Sequence, residues 1–306
     1  MERPPASSPR AAGRAYLLLA PVILLWAVNP LLVPALSRSL PVPEINFLAS
    51  LCAVLVLAAA ITATRRWGTY RSWGPRDWGG ALLLGAVGIF PYSSLYFLAF
   101  SLAPESAGAT NIINYLWPIW TVVLSTLILR ERLGWRKVLG LALSFVGVYV
   151  IVSNGRFVEL DRSALPAYLA AGSGAFFWGL FSILGKRRSH DEMCSMLLYQ
   201  AGALVCFGAL ALSLGGLRLP STRELAGLAI LGGGSNGVAY LLWILALRRG
   251  DTSRISSLAY LVPLVALVYL RIFRGTPITA VHLVALVLVV AGPLVQLSRR
   301  GVPEQR

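Results

Sequence analysis

The sequence predicts an all-α membrane protein with ten transmembrane helices in two inverted five-helix repeats. Three observations carry that prediction. Ten apolar stretches each approach the roughly 20 residues that a helix needs to cross a hydrocarbon core. The loops between them are short and alternate in positive charge. The two halves of the chain echo one another over five spans each, and five is odd. Of the 306 residues, 57% are hydrophobic and 13% charged, too apolar a balance for an ordinary soluble domain.

The spans are expected at 15–33, 44–64, 78–102, 105–129, 135–153, 164–185, 193–214, 224–247, 253–273 and 278–297. Residues 1–12, rich in Pro, Ser and Ala, read as a disordered cytoplasmic tail. The first span follows a basic flank, as a signal peptide would. Its apolar run from Ala15 to Val33 is long, however, and no A-x-A-type site closes it. Trp67, Trp73, Trp78 and Trp135 stand at span ends on one side, where amphipathic rings favour the interface. The loop from Arg130 to Lys137 holds four bases and separates the fourth span from the fifth. At about 2.5–3.5 kcal/mol for each base placed at a helix centre, it stays out of the membrane. Gly140, Ser144 and Gly147 on the fifth span, and Gly233 and Gly237 on the eighth, form small-residue stripes that let backbones approach. The five-helix repeats are bounded at 13–155 and 162–298.

Charge orients the array. Segments on the side of the N-terminus hold 20 of the 27 basic residues, and the opposite loops hold seven. Positive charge stays in the cytoplasm, so both termini are expected inside a bacterial inner (plasma) membrane. The net charge of +15 lies in loops beside apolar helices, with no basic domain, so nucleic acid is not an expected partner. Cys52, Cys194 and Cys206 all fall within spans and read as small packing residues, not a disulfide framework.

The internal echo is specific in order. Ala15-Tyr16-Leu17 followed by Trp26 recurs as Ala167-Tyr168-Leu169 followed by Trp178, 152 residues on. Tyr115-Leu116-Trp117-Pro118 recurs as Tyr260-Leu261-Val262-Pro263, 145 residues on, and Gly147 maps to Gly292 at the same offset. Five spans per half turn the second half upside down. Inverted repeats are a signature of secondary transporters, whose site lies near the midplane between the halves.

Helical spacing gathers polar and aromatic side chains at that depth. Tyr92 and Tyr96 share a face of the third span. Asn111, Asn114, Tyr115 and Pro118 follow an i, i+3, i+4, i+7 pattern on the fourth. Asn236, Tyr240 and Trp243 do so on the eighth, Ser256 or Ser257 with Tyr260 on the ninth, and the sixth adds Trp178. An amide facing lipid is costly, so the three asparagines should face inward, lining a cavity or acting as interhelical glue. Pro118 and Pro263 each free a carbonyl about one turn earlier, which could accept from a substrate ammonium; Pro30 and Pro91 could act likewise or serve only as kinks. No Asp, Glu, Lys or Arg falls mid-span by these boundaries; Glu44, Glu105 and Glu131 sit at span ends, and His282 about one turn inside the last span. A zwitterion would therefore need a hydrated cavity, and movement along the concentration gradient is expected unless coupling comes through His282 or an end-of-span Glu.

Asn114-Tyr115-Leu116-Trp117-Pro118, then Leu129-Arg130-Glu131-Arg132-Leu133, then Gly140 to Val152 resemble the fourth and fifth spans of the EamA-type branch of the drug/metabolite transporter superfamily. The Asn-Tyr-Leu-Trp-Pro run is most similar to aromatic amino acid exporters of the YddG type. The resemblance implies efflux of aromatic and other neutral amino acids, and of drugs, through a central cavity lined by the third, fourth, sixth, eighth and ninth spans. It adds Trp117 to the expected site. One departure stands out: Gly275-Thr276-Pro277 replaces Arg130-Glu131-Arg132 in the second half and lacks the acid.

The expected partners are a small-molecule substrate and membrane lipid, with the chain a monomer or weak dimer and no cofactor or metal. Other small amino acids or metabolites on the same scaffold are the alternative. A membrane-embedded enzyme is disfavoured: His190 and His282 have no acid beside them at mid-membrane, and Ser195 has no G-x-S-x-G elbow.

Overall fold

Ten crossings do form. The computed structural model describes residues 9–297. Among them, nine helices are long and apolar enough to span a membrane: Gly13–Leu36, Val42–Ala63, Pro75–Leu102, Pro104–Ile128, Trp135–Val152, Arg162–Arg187, Glu192–Ser213, Thr222–Arg249 and Thr252–Arg274. The shorter apolar helix Ala280–Gln296 makes the tenth. We number them spans 1 to 10 and call the face that carries the chain's start the N-side. The first helix begins at Pro9, so the last four residues of the expected tail are helical; residues 1–8 lie outside the described residues.

Several spans are interrupted, and the interruptions repeat. Span 4 is two helices, Ala107–Asn114 and Trp117–Ile128, and span 9 is Thr252–Ala259 and Val262–Arg274. Pro118 and Pro263 are each the second residue of the outgoing helix, where no helical N–H is required. Span 3 carries a π-helical segment at Gly85–Ile89 and span 8 one at Ala229–Val238. Span 1 breaks between Trp26 and Asn29, ahead of Pro30, whereas its counterpart, Leu165–Arg187, runs unbroken.

Contacts between the halves reveal a pseudo-two-fold axis. Ser144 Oγ donates to the Val289 carbonyl at 3.2 Å, and the Tyr260 hydroxyl donates to the Tyr115 carbonyl at 2.9 Å. Both bonds join residues 145 apart, so each side chain meets its own repeat counterpart. A residue touches its symmetry mate only on a two-fold axis. The swapped pairs agree: Gly140 lies against the Gly292 carbonyl and Gly147 against the Ala285 carbonyl, each too close for a side chain. Spans 5 and 10 therefore pack backbone to backbone through the stripe of Gly140, Ser144 and Gly147. On span 8, Gly233 lies against the Val56 side chain and Gly237 against Ala53, so this stripe too meets a neighbouring span.

The cysteines are free thiols, Cys194 buried and the other two half-buried. Trp67, Trp78 and Trp135 are exposed at N-side span ends, as expected of interfacial rings. Trp73 differs: it is buried, packed between Tyr70, Trp78 and His190.

Candidate functional site

Between the halves lies a cavity of about 550 Å³, within the usual size for a small-molecule site. Its floor is a cluster of rings. Trp26 is the hub, with centroids 5.8 Å from Trp117, 5.7 Å from Trp178 and 6.1 Å from Tyr240. Edge-to-face packing dominates, the geometry that ring quadrupoles favour. The walls carry Tyr92, Tyr96, Phe97 and Tyr115 together with five amides, Asn29, Asn46, Asn111, Asn114 and Asn236. Ser37, Val42, Phe100 and Ser101 line the end toward the face opposite the N-side. Among the described residues, no Asp, Glu, Lys, Arg or His contributes to the lining.

The interrupted helices supply these groups. The break in span 1 swings Asn29 and Pro30 into the wall, and Ser235 Oγ satisfies it by donating to the Leu25 carbonyl and Asn29 Oδ1 at 2.7 and 2.9 Å. Trp26 Nε1 in turn donates to the Ser235 carbonyl at 3.2 Å, inside the π segment. The break in span 4 presents Asn114, Tyr115 and Trp117 together. Asn114 is buried, and its Oδ1 has no hydrogen-bond partner among the described residues. An unmet acceptor in a low-dielectric site is costly unless something else fills it.

Below the floor the N-side is closed. Lys186 Nζ bridges Glu131 at 2.5 Å and Thr252 at 2.6 Å, and Thr252 also donates to Glu131. Lys137 pairs with Asp251 at 2.7 Å, Arg248 with Glu192 at 3.1 Å and Arg66 with Asp191 at 2.6 Å. The Lys186–Glu131, Lys137–Asp251 and Arg66–Asp191 pairs tie the first half to the second. Burial pushes the Asp251 carboxyl up, but the Lys137 ammonium and the Arg254 N–H outweigh it and hold it below the ordinary range. Asp191 is likewise depressed, with the Cys194 N–H and Arg66 outweighing burial.

Nine of the expected site residues line the cavity: Tyr92, Tyr96, Asn111, Asn114, Tyr115, Trp117, Trp178, Asn236 and Tyr240. Four do not. Trp243 lies one turn deeper than Tyr240, fully buried under the floor, 5.3 Å from Trp117 and bonded through Nε1 to Ser182 at 2.9 Å. Tyr260 is fully buried because its hydroxyl is spent on the axis at Tyr115. That bond also occupies the carbonyl at the break in span 4. Pro118 and Pro263 are buried residues that set the breaks without facing the cavity, so span 9 offers only Val262. Pro30 lines the cavity and Pro91 does not. From spans 1 and 2 the sequence reading raised only Pro30, beside a kink as its alternative; Trp26, Asn29 and Asn46 escaped it. Asn29-Pro30 and Asn46, amides inside apolar runs, were the available signals; Phe97 and Phe100 gave none, since apolar rings suit lipid equally well.

Comparison with known proteins agrees with this architecture. A model of the EamA-like transporter family matches residues 13–153 and again 165–297. An aromatic amino acid exporter, YddG, of Ancylobacter novellus is 28% identical over 224 residues, covering 71% of this chain and 76% of its own. An uncharacterized transporter, YvbV, of Bacillus subtilis is 27% identical over 286 residues, covering 90% and 89%. A crystal structure at 25% identity superposes with a TM-score of 0.81 over 94% of this chain and 97% of the other. With the inverted halves, the broken spans and two matches of one family model that together cover most of its length, the chain belongs to the EamA-like transporter family.

Proposed function

We propose that this membrane transporter exports aromatic and other neutral amino acids from the cytoplasm by alternating access through the central cavity. The observation that carries the reading is an uncharged, ring-floored chamber at mid-depth, walled by Asn114, whose buried Oδ1 has no partner among the described residues. Rings accept an aromatic side chain by stacking, worth about 0.5–1.5 kcal/mol per pair beyond area. Amides and water serve the ammonium and carboxylate. The name of the Ancylobacter novellus relative supports the same substrate class.

The excess of N-side arginine and lysine supports a cytoplasmic N-side. The described conformation is then open outward and sealed inward. With no Asp, Glu, Lys, Arg or His among the described lining residues, substrate moves down its own gradient. A neutral drug would also suit such a lining, and competition measures how widely the cavity discriminates.

Counterflow of labelled amino acids into proteoliposomes tests the proposal. Saturable exchange of tryptophan, phenylalanine and tyrosine, flat across an imposed pH gradient, is the expected result. Exchange restricted to non-amino-acid solutes would overturn the substrate class, and strong acceleration by a pH gradient would overturn uncoupled movement. Reporter fusions at both ends check orientation; either end outside would reverse the stated direction.

A further inference from the structure

A second recess of about 470 Å³ opens on the N-side where spans 3 and 6 part, sharing no lining residue with the central cavity. Its upper half is basic, with Arg76, Arg187, Arg188 and His190 around a single acid, Asp77. That acid is already engaged. Its Oδ2 accepts the Gly74 N–H at 2.9 Å, its Oδ1 meets His190 Nε2 at 3.3 Å, and its carbonyl accepts from Arg188 at 2.9 Å. The side chains of Arg76 and Arg187 are exposed and have no ion pair or hydrogen bond among the described residues. Arg188 Nε and His190 Nδ1 are buried atoms with no partner there either.

The lower half is apolar: Leu83, Leu84, Val87 and Leu184. Leu83 and Val87, one helical turn apart, are 60% and 38% exposed, so they form a strip facing acyl chains below the basic end. The Arg188 guanidinium rests over the bare backbone of Gly80, 2.8 Å from where a Cβ would lie. The pseudo-symmetric corner on the opposite face has the same glycine-to-side-chain contact with different chemistry. There Gly227 faces Leu36 where Gly80 faces Arg188. The basic charge is thus not a by-product of the repeat.

We propose that this recess binds an anionic phospholipid in the N-side leaflet, its phosphate on Arg76, Arg187 and Arg188 and one acyl chain along Leu83 and Val87. Basic pockets between spans next to the interface recognise such headgroups. A free anion would use the arginines but leave the exposed apolar strip idle, so lipid is the better fit.

Native mass spectrometry of the full-length, delipidated protein titrated with phosphatidylglycerol or phosphatidylcholine tests it. Phosphatidylglycerol should bind selectively. Arg76→Gln and Arg187→Gln should each weaken it about fivefold, and the double variant about 30-fold, at roughly the strength of one surface base per step. Both side chains are exposed, so the fold should survive, which thermal unfolding in phosphatidylcholine checks. Arg130→Gln with Arg132→Gln, exposed bases elsewhere on the same face, should change nothing. Equal binding of the two lipids, an unchanged double variant or an equal loss in the control pair would overturn the site. Displacement of the lipid by millimolar inorganic phosphate would overturn the lipid in favour of a free anion.

Discussion

Tyr96 and Trp117 are both aromatic, yet their surroundings assign them different work. Tyr96 is a half-buried wall residue, 4.9 Å from Phe100 and 6.2 Å from Tyr92. Tyr96→Ala should weaken aromatic substrates about two- to tenfold and alanine much less, read as the ratio of KM values in counterflow. Trp117 is buried in the floor between Trp26 and Trp243. Trp117→Ala leaves a void worth about 3–5 kcal/mol, so thermal stability should fall along with transport of every substrate. Asn114→Leu removes the unmet acceptor; a lost bond to a charged group, about 1.5–3 kcal/mol, predicts at least a tenfold rise in KM for free amino acids. Analogues with a blocked amino group should be spared. Helical spacing found the wall residues because amides and tyrosines in an apolar run must face something other than lipid. It overreached at Trp243 and Tyr260, where periodicity gives the face but not the depth along it.

At the scale of elements, glycine decides which spans touch. A Cβ at Gly85 would collide with the Tyr199 carbonyl, at Gly232 with the Ala49 carbonyl, and at Gly292 with Ser144 and the Gly140 carbonyl. Gly292→Val should destabilise by about 1–3 kcal/mol, the usual cost of overpacking, and separate spans 5 and 10. A drop in the detergent-solubilised Tm checks it, and Gly79→Ala, whose Cβ meets nothing, is the control. The breaks at Pro118 and Pro263 were legible because proline removes a donor wherever it stands. The π segments at Gly85–Ile89 and Ala229–Val238 were not, since no residue type demands an i+5 bond and only their repeat at matching registers gives them meaning. Five spans per half were legible from length and charge alone.

At the scale of the whole molecule the groups that seal the N-side have no like counterparts on the opposite face. The N-side seal of Glu131, Lys186 and Thr252 maps through the repeat onto Thr276, Pro34 and Ala107, and Lys137–Asp251 maps onto His282 and Ser106. None of those counterparts can form an ion pair of the same kind. Glu131→Gln should loosen the N-side by about 1–2 kcal/mol, a partly solvated pair being worth less than a buried one. Thiol labelling of a cysteine placed below the floor should rise about tenfold. Asp251 and Asp191 carry depressed pKa values, so their contribution is complete above the ordinary carboxylate range and lost as pH falls through their folded values. Labelling should therefore stay level from pH 8 to about 5.5 and climb only below about pH 4. An unequal pair of latches has a kinetic price. If the empty carrier rests mostly with its outer door ajar, solute arriving from within meets a receptive carrier only in the minor fraction, and its half-saturating concentration rises by the inverse of that fraction. Such a molecule would idle at low internal levels and turn over freely only under surfeit, behaving as an overflow valve with its threshold written in Lys186 and Glu131.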